Sequence, residues 1–249
     1  MRLRKLPFLT AAWRHLVVLN FDIEHSALAS YVPKGTELDQ WQGRTLVSLV
    51  GFQFQDLRVC GLPILFHRNF EEVNLRFYVR RKAAGGWRRG VVFIREMAPR
   101  PLVNWAARTL YGENYLTVPM SHHVESPNGD PRARHALAYG WRFDRTDYSI
   151  ALTAGGVAAT AAPGTLEEFV IEHYWGYSGG GDRPTIEYRV DHPRWKLWPA
   201  HQARFEGDPA KLYGERFAEA LGNPPSSAFY ADGSPVTVYW GARVTDDRR

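Results

Sequence analysis

Between Glu72 and Arg80 the side chains alternate strictly, with Val73, Leu75, Phe77 and Val79 on one face and Glu72, Asn74, Arg76 and Tyr78 on the other. A period of two predicts a strand. Gly43 to Val59 alternates in the same way, and the Ala84-Gly85-Gly86 turn predicts that Trp87 to Met97 returns as the second strand of a hairpin. Further strand-like runs lie at Tyr115 to Val124, His135 to Phe143, Tyr148 to Thr153, Glu168 to Tyr177, Thr185 to Val190 and Pro235 to Val244. Helical signals are fewer. Asp22 to Tyr31 is a short candidate stopped by Pro33 and Gly35, and Leu102 to Leu110 is opened by Pro101 and closed by Gly112. Ala210 to Leu221 follows Asp208 as N-cap and Pro209 at the first helical position. Many strands with no strand-helix alternation predict one mainly antiparallel α+β domain over residues 1–249. Residues 1–10 and 245–249 are expected to fray, and Ser178 to Asp182 to form a mobile loop.

Composition narrows the class. A chain of 249 residues that is 45% hydrophobic can bury a substantial core, which excludes a disordered or low-complexity protein. A single cysteine, Cys60, cannot form an internal disulfide, so the expected address is reducing and cytoplasmic. The apolar run after Lys5 is interrupted by Arg14 and His15 before it resembles a signal peptide, and no stretch reaches the length of a spanning helix. Of the 31 cationic side chains only five are lysines: Lys5, Lys34, Lys82, Lys196 and Lys211. Arginine stays protonated, so amine nucleophiles are scarce.

Familiar catalytic motifs are absent. Gly179-Gly180-Gly181 lacks the Gly-Lys-Ser/Thr ending of a phosphate loop, no serine stands in a nucleophile elbow, and Cys60 has no histidine beside it in sequence. None of the nine histidines is spaced as in H-E-x-x-H, and His122 and His123 point to opposite faces of a strand, so no metal is expected. Arg80, Arg81, Lys82, Arg88 and Arg89 flank one hairpin turn and are the candidate surface for an interaction or nucleic-acid-binding module. The polar face of Glu72 to Tyr78 carries the most chemistry. If both faces of that strand are covered, these groups must be paired or must line a polar cavity.

The order of several segments identifies a family. Trp13-Arg14-His15, Val32 to Asp39 and Gly43 to Val50 resemble the opening of the YqjF-like family, bacterial proteins known as domain of unknown function 2071. Glu72 to Val79 resembles that family's Glu-x-Asn-x-Arg-Thr-Tyr-Val strand, and Gly90-Val91-Val92-Phe93 its following hairpin. Ala107 to Gly112 is similar to its next helix end, and His192 to Leu197 to its late His-Pro-Pro-Trp segment. The resemblance implies an acetoacetate decarboxylase-like fold, a curved or barrel-like sheet around a cavity with peripheral helices. Acetoacetate decarboxylase itself works through a Schiff-base lysine. Aligning Tyr111 to Leu116 on its lysine segment puts Tyr115 at that position, and no lysine occurs between Lys82 and Lys196. Imine chemistry is therefore not expected.

These residues define a candidate site for a small organic acid or similar metabolite, with no cofactor. Arg76 and Arg108 can grip a carboxylate, Glu72 can orient Arg76 or exchange a proton, Tyr115 can donate a hydrogen bond, and His173 is a further candidate on its strand. Structural roles stay open beside these: Glu72 and Arg76 can neutralise each other, and Arg108 can cap its helix. The alternatives are an enzyme using Glu72 and Tyr115 in acid-base catalysis on a keto or enol substrate, and the arginine-rich hairpin module. No membrane partner is expected, nucleic acid is disfavoured, and self-association is left open.

Overall fold

In a computed structural model, residues 6–64, 66–126, 134–180 and 183–244 are described. The strands are β1 (Pro7–Asp22), β2 (Glu37–Leu38), β3 (Leu46–Val59), β4 (Leu62–Pro63), β5 (Phe70–Ala83), β6 (Gly86–Ala98), β7 (Tyr115–Thr117) and β8 (Met120–Glu125). They continue as β9 (His135–Phe143), β10 (Thr146–Ala154), β11 (Ala159–Thr160), β12 (Trp175–Gly180), β13 (Arg183–Asp191), β14 (Lys196–Glu206), β15 (Ser227–Tyr239) and β16 (Ala242–Arg243). Five short helices decorate them: α1 (His25–Leu28), α2 (Pro101–Tyr111), α3 (Leu166–Ile171), α4 (Pro209–Tyr213) and α5 (Glu215–Gly222). None is long and apolar enough to cross a membrane.

The long strands pair in the order β13-β12-β6-β5-β3-β1-β15, and β15 pairs back onto β13 through Val190–Val238 and Asp191–Thr237. The sheet thus curves into a closed ring, with β14, β10, β9 and β8 continuing from β15. Most neighbours are antiparallel; β6 takes β12 and β7 in parallel. Central strands are covered on both faces. In β1, Val17, Leu19 and Phe21 enter the largest core with Val73, Leu75, Phe77 and Val79 of β5, while Leu16 and Val18 face a second core on the other side. The apolar face read from β5 is therefore buried as expected, and its polar face is buried too: Glu72 and Asn74 are each 2% exposed.

Several local expectations change. Pro7 to Thr10 are strand residues paired with β15 and β3, and Phe8 is buried against Tyr111. Glu168 to Ile171 belong to α3, because Thr165 accepts from the Glu168 amide and Glu168 accepts from the Gly164 amide, a reciprocal cap that starts a helix. His173 accordingly lies in the link between α3 and β12 and not on a strand. Ser178 to Gly180 end β12, with the Ser178 hydroxyl donating to the Tyr111 carbonyl; Gly181 and Asp182 of the expected loop lie outside the described residues. The late helix is two helices, since Gly214 breaks it at φ +97°. β14 has no counterpart in the sequence reading. The expected C-terminal fray, residues 245–249, also lies outside the described residues.

Candidate functional site

A cavity of about 360 Å³ opens on the face of β5 opposite the largest core. Its walls are mainly aromatic and aliphatic, including Phe8, Trp13, Phe52, Phe93, Trp105 and Trp195. Leu102 and Trp105 of α2 line it while remaining 62% and 66% exposed, which puts them at the mouth. Glu72, Asn74 and Arg76 also line it, because residues two apart on β5 share a face.

Part of the lining is polar and deeply buried. Asn74 of β5 is the register partner of Glu96 on β6, and Glu96 is the partner of Tyr115 on β7, so three strands set one row of polar side chains. A β-bulge makes this row possible. Leu75 pairs with Arg95 but Arg76 pairs with Phe93, leaving one extra residue on β6, so that Phe93 and Glu96, three apart, both line the cavity. Glu113 joins from the link between α2 and β7. That link is pinned to β6 by Glu96 N–H donating to the Asn114 carbonyl and the Asn114 amide donating to the Ile94 carbonyl.

Hydrogen bonds connect these groups. The Tyr115 hydroxyl donates to Glu72 Oε2 at 2.6 Å, Asn74 Nδ2 donates to Glu72 Oε1 at 3.0 Å, and the Tyr188 hydroxyl donates to Glu113 Oε1 at 2.8 Å. Tyr188 reaches Glu113 because its ring lies across its register partner Gly176, where a Cβ would overlap the ring. Burial pushes all three carboxyl groups up: Glu72 to about 7, Glu113 to about 8, and Glu96, beside the other two, well above the ordinary value. Tyr115 also lies close to Glu96, so Glu72, Tyr115 and Glu96 form one buried cluster.

Arg76 occupies a separate part of the lining. Its Nη2 donates to the Val170 carbonyl at 3.3 Å and its buried Nε has no partner. It forms no ion pair with Glu72, although its charge offsets part of the burial effect on that carboxyl group. His173, also in the lining, packs on Tyr78 and Phe169. The Val170 carbonyl approaches its ring, but neither nitrogen completes a hydrogen bond. Burial first, then the nearby Arg89 and Arg76 charges, drive its pKa well down, so the ring is neutral.

Four of the five sequence candidates, Glu72, Arg76, Tyr115 and His173, thus line one cavity. Arg108 does not. It is exposed on α2, and its Nε donates to the Tyr115 carbonyl at 2.7 Å, which holds β7 against the helix. The alternation pattern passes over Glu96, Glu113 and Tyr188. The only available signal was an acid inside an otherwise apolar strand at Glu96 and an acid beside the helix-ending Gly112 at Glu113. No lysine is among the residues lining the cavity. Among the described residues no group of three or more His, Cys, Asp or Glu is arranged to hold a metal ion. The hairpin arginines are paired within the chain: Arg80 with Glu37, Arg81 and Arg88 with Glu187, and Arg89 with Asp39.

The sequence profile of domain of unknown function 2071, described as an uncharacterized conserved protein, matches residues 10–235. The uncharacterized protein YqjF of Bacillus subtilis (strain 168) is 30% identical over 119 residues, which are 47% of this chain and 46% of that one; the match spans about half of each. Among solved structures, an acetoacetate decarboxylase from Legionella pneumophila superposes with a TM-score of 0.68 at 13% identity, covering 100% of this chain and 92% of that chain. The enduracididine biosynthesis enzyme MppR, complexed with pyruvate, gives 0.68 at 10% identity over 97% and 92% of the two chains. An acetoacetate decarboxylase-like enzyme from Sphingomonas wittichii RW1 gives 0.64 at 12% identity over 95% and 92%. At such identities the likeness is one of fold.

Proposed function

The chain belongs to the YqjF-like family, domain of unknown function 2071, and we propose that it uses its acetoacetate decarboxylase-like fold to bind a small organic acid without imine chemistry. The observation that carries this reading is the convergence of Glu72, Asn74, Arg76, Tyr115 and His173 on one aromatic-walled cavity of about 360 Å³, a volume suited to a small metabolite. Arg76 supplies the grip: its buried Nε lacks a partner, and a carboxylate is the acceptor that matches a guanidinium edge. The neighbouring His173 offers one further N–H. The raised pKa values of the three carboxyl groups reduce their repulsion of an anion below pH 7. Tyr115, where the resemblance would put a Schiff-base lysine, orients Glu72 instead and has no amine.

The test is thermal shift with keto, hydroxy and aromatic acids, repeated on Arg76→Met. Acid-dependent stabilisation that the variant loses supports the reading; absence of any shift overturns it. Borohydride reduction with acetoacetate should leave the protein mass unchanged, and a lysine adduct would refute the imine-free mechanism. A second reading, acid-base catalysis on a keto or enol substrate, is favoured by the hydrogen-bonded Tyr115–Glu72 pair, with Glu72 pushed up to about 7 and so able to take and return a proton near neutral pH. Deuterium exchange at the carbon next to a ketone, lost in Glu72→Gln, would support it, and no exchange would discard it.

A further inference from the structure

The lining carries two kinds of unmet hydrogen-bonding demand, in different places. Asn74 Oδ1 and Glu96 Oε2 are buried without partners, on side chains that are 2% and 3% exposed, and they come from register partners on adjacent strands. The orientation of the Asn74 amide follows from its Nδ2, which is spent on Glu72, so its oxygen is an acceptor. A buried acceptor left unmade is costly, and two side by side call for a group with at least two N–H donors. Glu113 lines the same region. The unmet donor, Arg76 Nε, lies two residues further along β5, roughly 7 Å at the backbone.

We infer that the ligand is an amino-substituted organic acid, its carboxylate at Arg76 and an ammonium or amidinium group at Asn74 and Glu96, the two charges separated by several bonds across an apolar body. This rests on the proposed acid-binding role and adds the second end. One lone acceptor would accommodate a hydroxyl; a neutral amide acceptor beside a carboxyl group that can ionise favours a cation. On binding, the ammonium takes the place of a carboxyl proton: its N–H groups donate to Asn74 Oδ1 and to the Glu96 carboxylate, and the Glu96 proton passes to solvent.

Two matched sets of probes test this on the full chain by isothermal titration calorimetry: 4-(aminomethyl)benzoate with 4-ethylbenzoate and 4-ethylbenzylamine, and 5-aminopentanoate with pentanoate and pentylamine. In at least one set the two-ended probe should bind tenfold or more tightly than the acid. Its binding near pH 7 should release up to one proton, read from the dependence of heat on buffer ionisation, whereas the acid should release none. Glu96→Gln should erase the advantage of the two-ended probe over the plain acid. Equal affinity of acid and two-ended probe overturns this inference and leaves the acid-binding reading standing. Binding of the amines in preference to both other probes overturns the acid grip while supporting the cationic end, and binding of none overturns both.

Discussion

Raising the pH from 7 to 8.5 should destabilise this protein, and the buried carboxyl groups set the size of the effect. Glu72 and Glu113 rise from 4.5 in a solvated chain to about 7 and about 8 in the fold, and Glu96 is also raised well above its ordinary value. Each folded carboxyl group holds a proton that the unfolded chain has released. Every pH unit therefore favours unfolding by about 1.4 kcal/mol per group until the folded group itself ionises. Across this window Glu113 contributes a loss of about 1 kcal/mol, Glu72 under about 1, and Glu96 up to about 2, on the order of 3 kcal/mol together. The window matters, because His15, His135, His173 and His192 are held neutral by burial and act in the opposite direction at pH below 6.5, where the unfolded chain protonates them. Above pH 7 they contribute almost nothing. At about 2–4 °C per kcal/mol for a chain of this size, Tm should fall by about 10 °C. Differential scanning calorimetry of the wild type and of a Glu96→Gln/Glu113→Gln variant provides the assay; glutamine has the shape of the protonated acid and does not titrate. The variant should lose most of the slope. A wild-type Tm flat within about 2 °C, or an undiminished slope in the variant, would refute the reasoning.

Other consequences can be checked separately. The affinity of a plain organic acid should fall between pH 6 and 8, by up to about tenfold, as Glu72 ionises near Arg76; titration calorimetry at both pH values measures it, and Glu72→Gln should flatten the dependence. Gly176→Ala should displace the Tyr188 ring, break its bond to Glu113 and lower stability by about 1–3 kcal/mol in urea unfolding. Thr165→Ala should cost about 1 kcal/mol by removing the cap of α3, and it should loosen His173 in the following link, visible as faster hydrogen exchange across residues 166–173. Replacing Arg108 with Met should leave acid binding within about threefold while lowering stability by about 1–2 kcal/mol, since its partner is the Tyr115 carbonyl and not the cavity.

Half of the site was legible along a single strand. Glu72, Asn74 and Arg76 recur at a period of two beside an apolar face, and that pattern alone raises the choice between a wet edge and a lined cavity. Glu96 was not legible, because strict alternation through Trp87 to Met97 places it with Val92 and Ile94 on the core side. The bulge at Ile94 reverses the parity, and a bulge depends on the partner strand as much as on its own residues. Arg108 shows the converse failure. Neither a carboxylate grip nor a cap on its own helix anticipates the Tyr115 carbonyl, because whether a guanidinium faces a ligand or a backbone carbonyl depends on how a helix end docks on a strand. For α3 the signal is present, as Thr165 followed three residues later by Glu168, but the apolar run Phe169 to Ile171 reads equally as a buried strand, and tertiary packing decides between them.

By itself the sequence determined the mainly antiparallel class, the two faces of β5, the family, and the lysine-free stretch between Lys82 and Lys196. These are properties of spacing and composition, and they hold whatever the partners are. Only the tertiary structure decided that the polar face of β5 is enclosed and that three carboxyl groups from separate segments share one cavity. It also decided that burial pushes all three carboxyl groups up from the ordinary carboxylate range. Desolvation is a property of everything that surrounds a group, so no residue's own neighbours in sequence encode it.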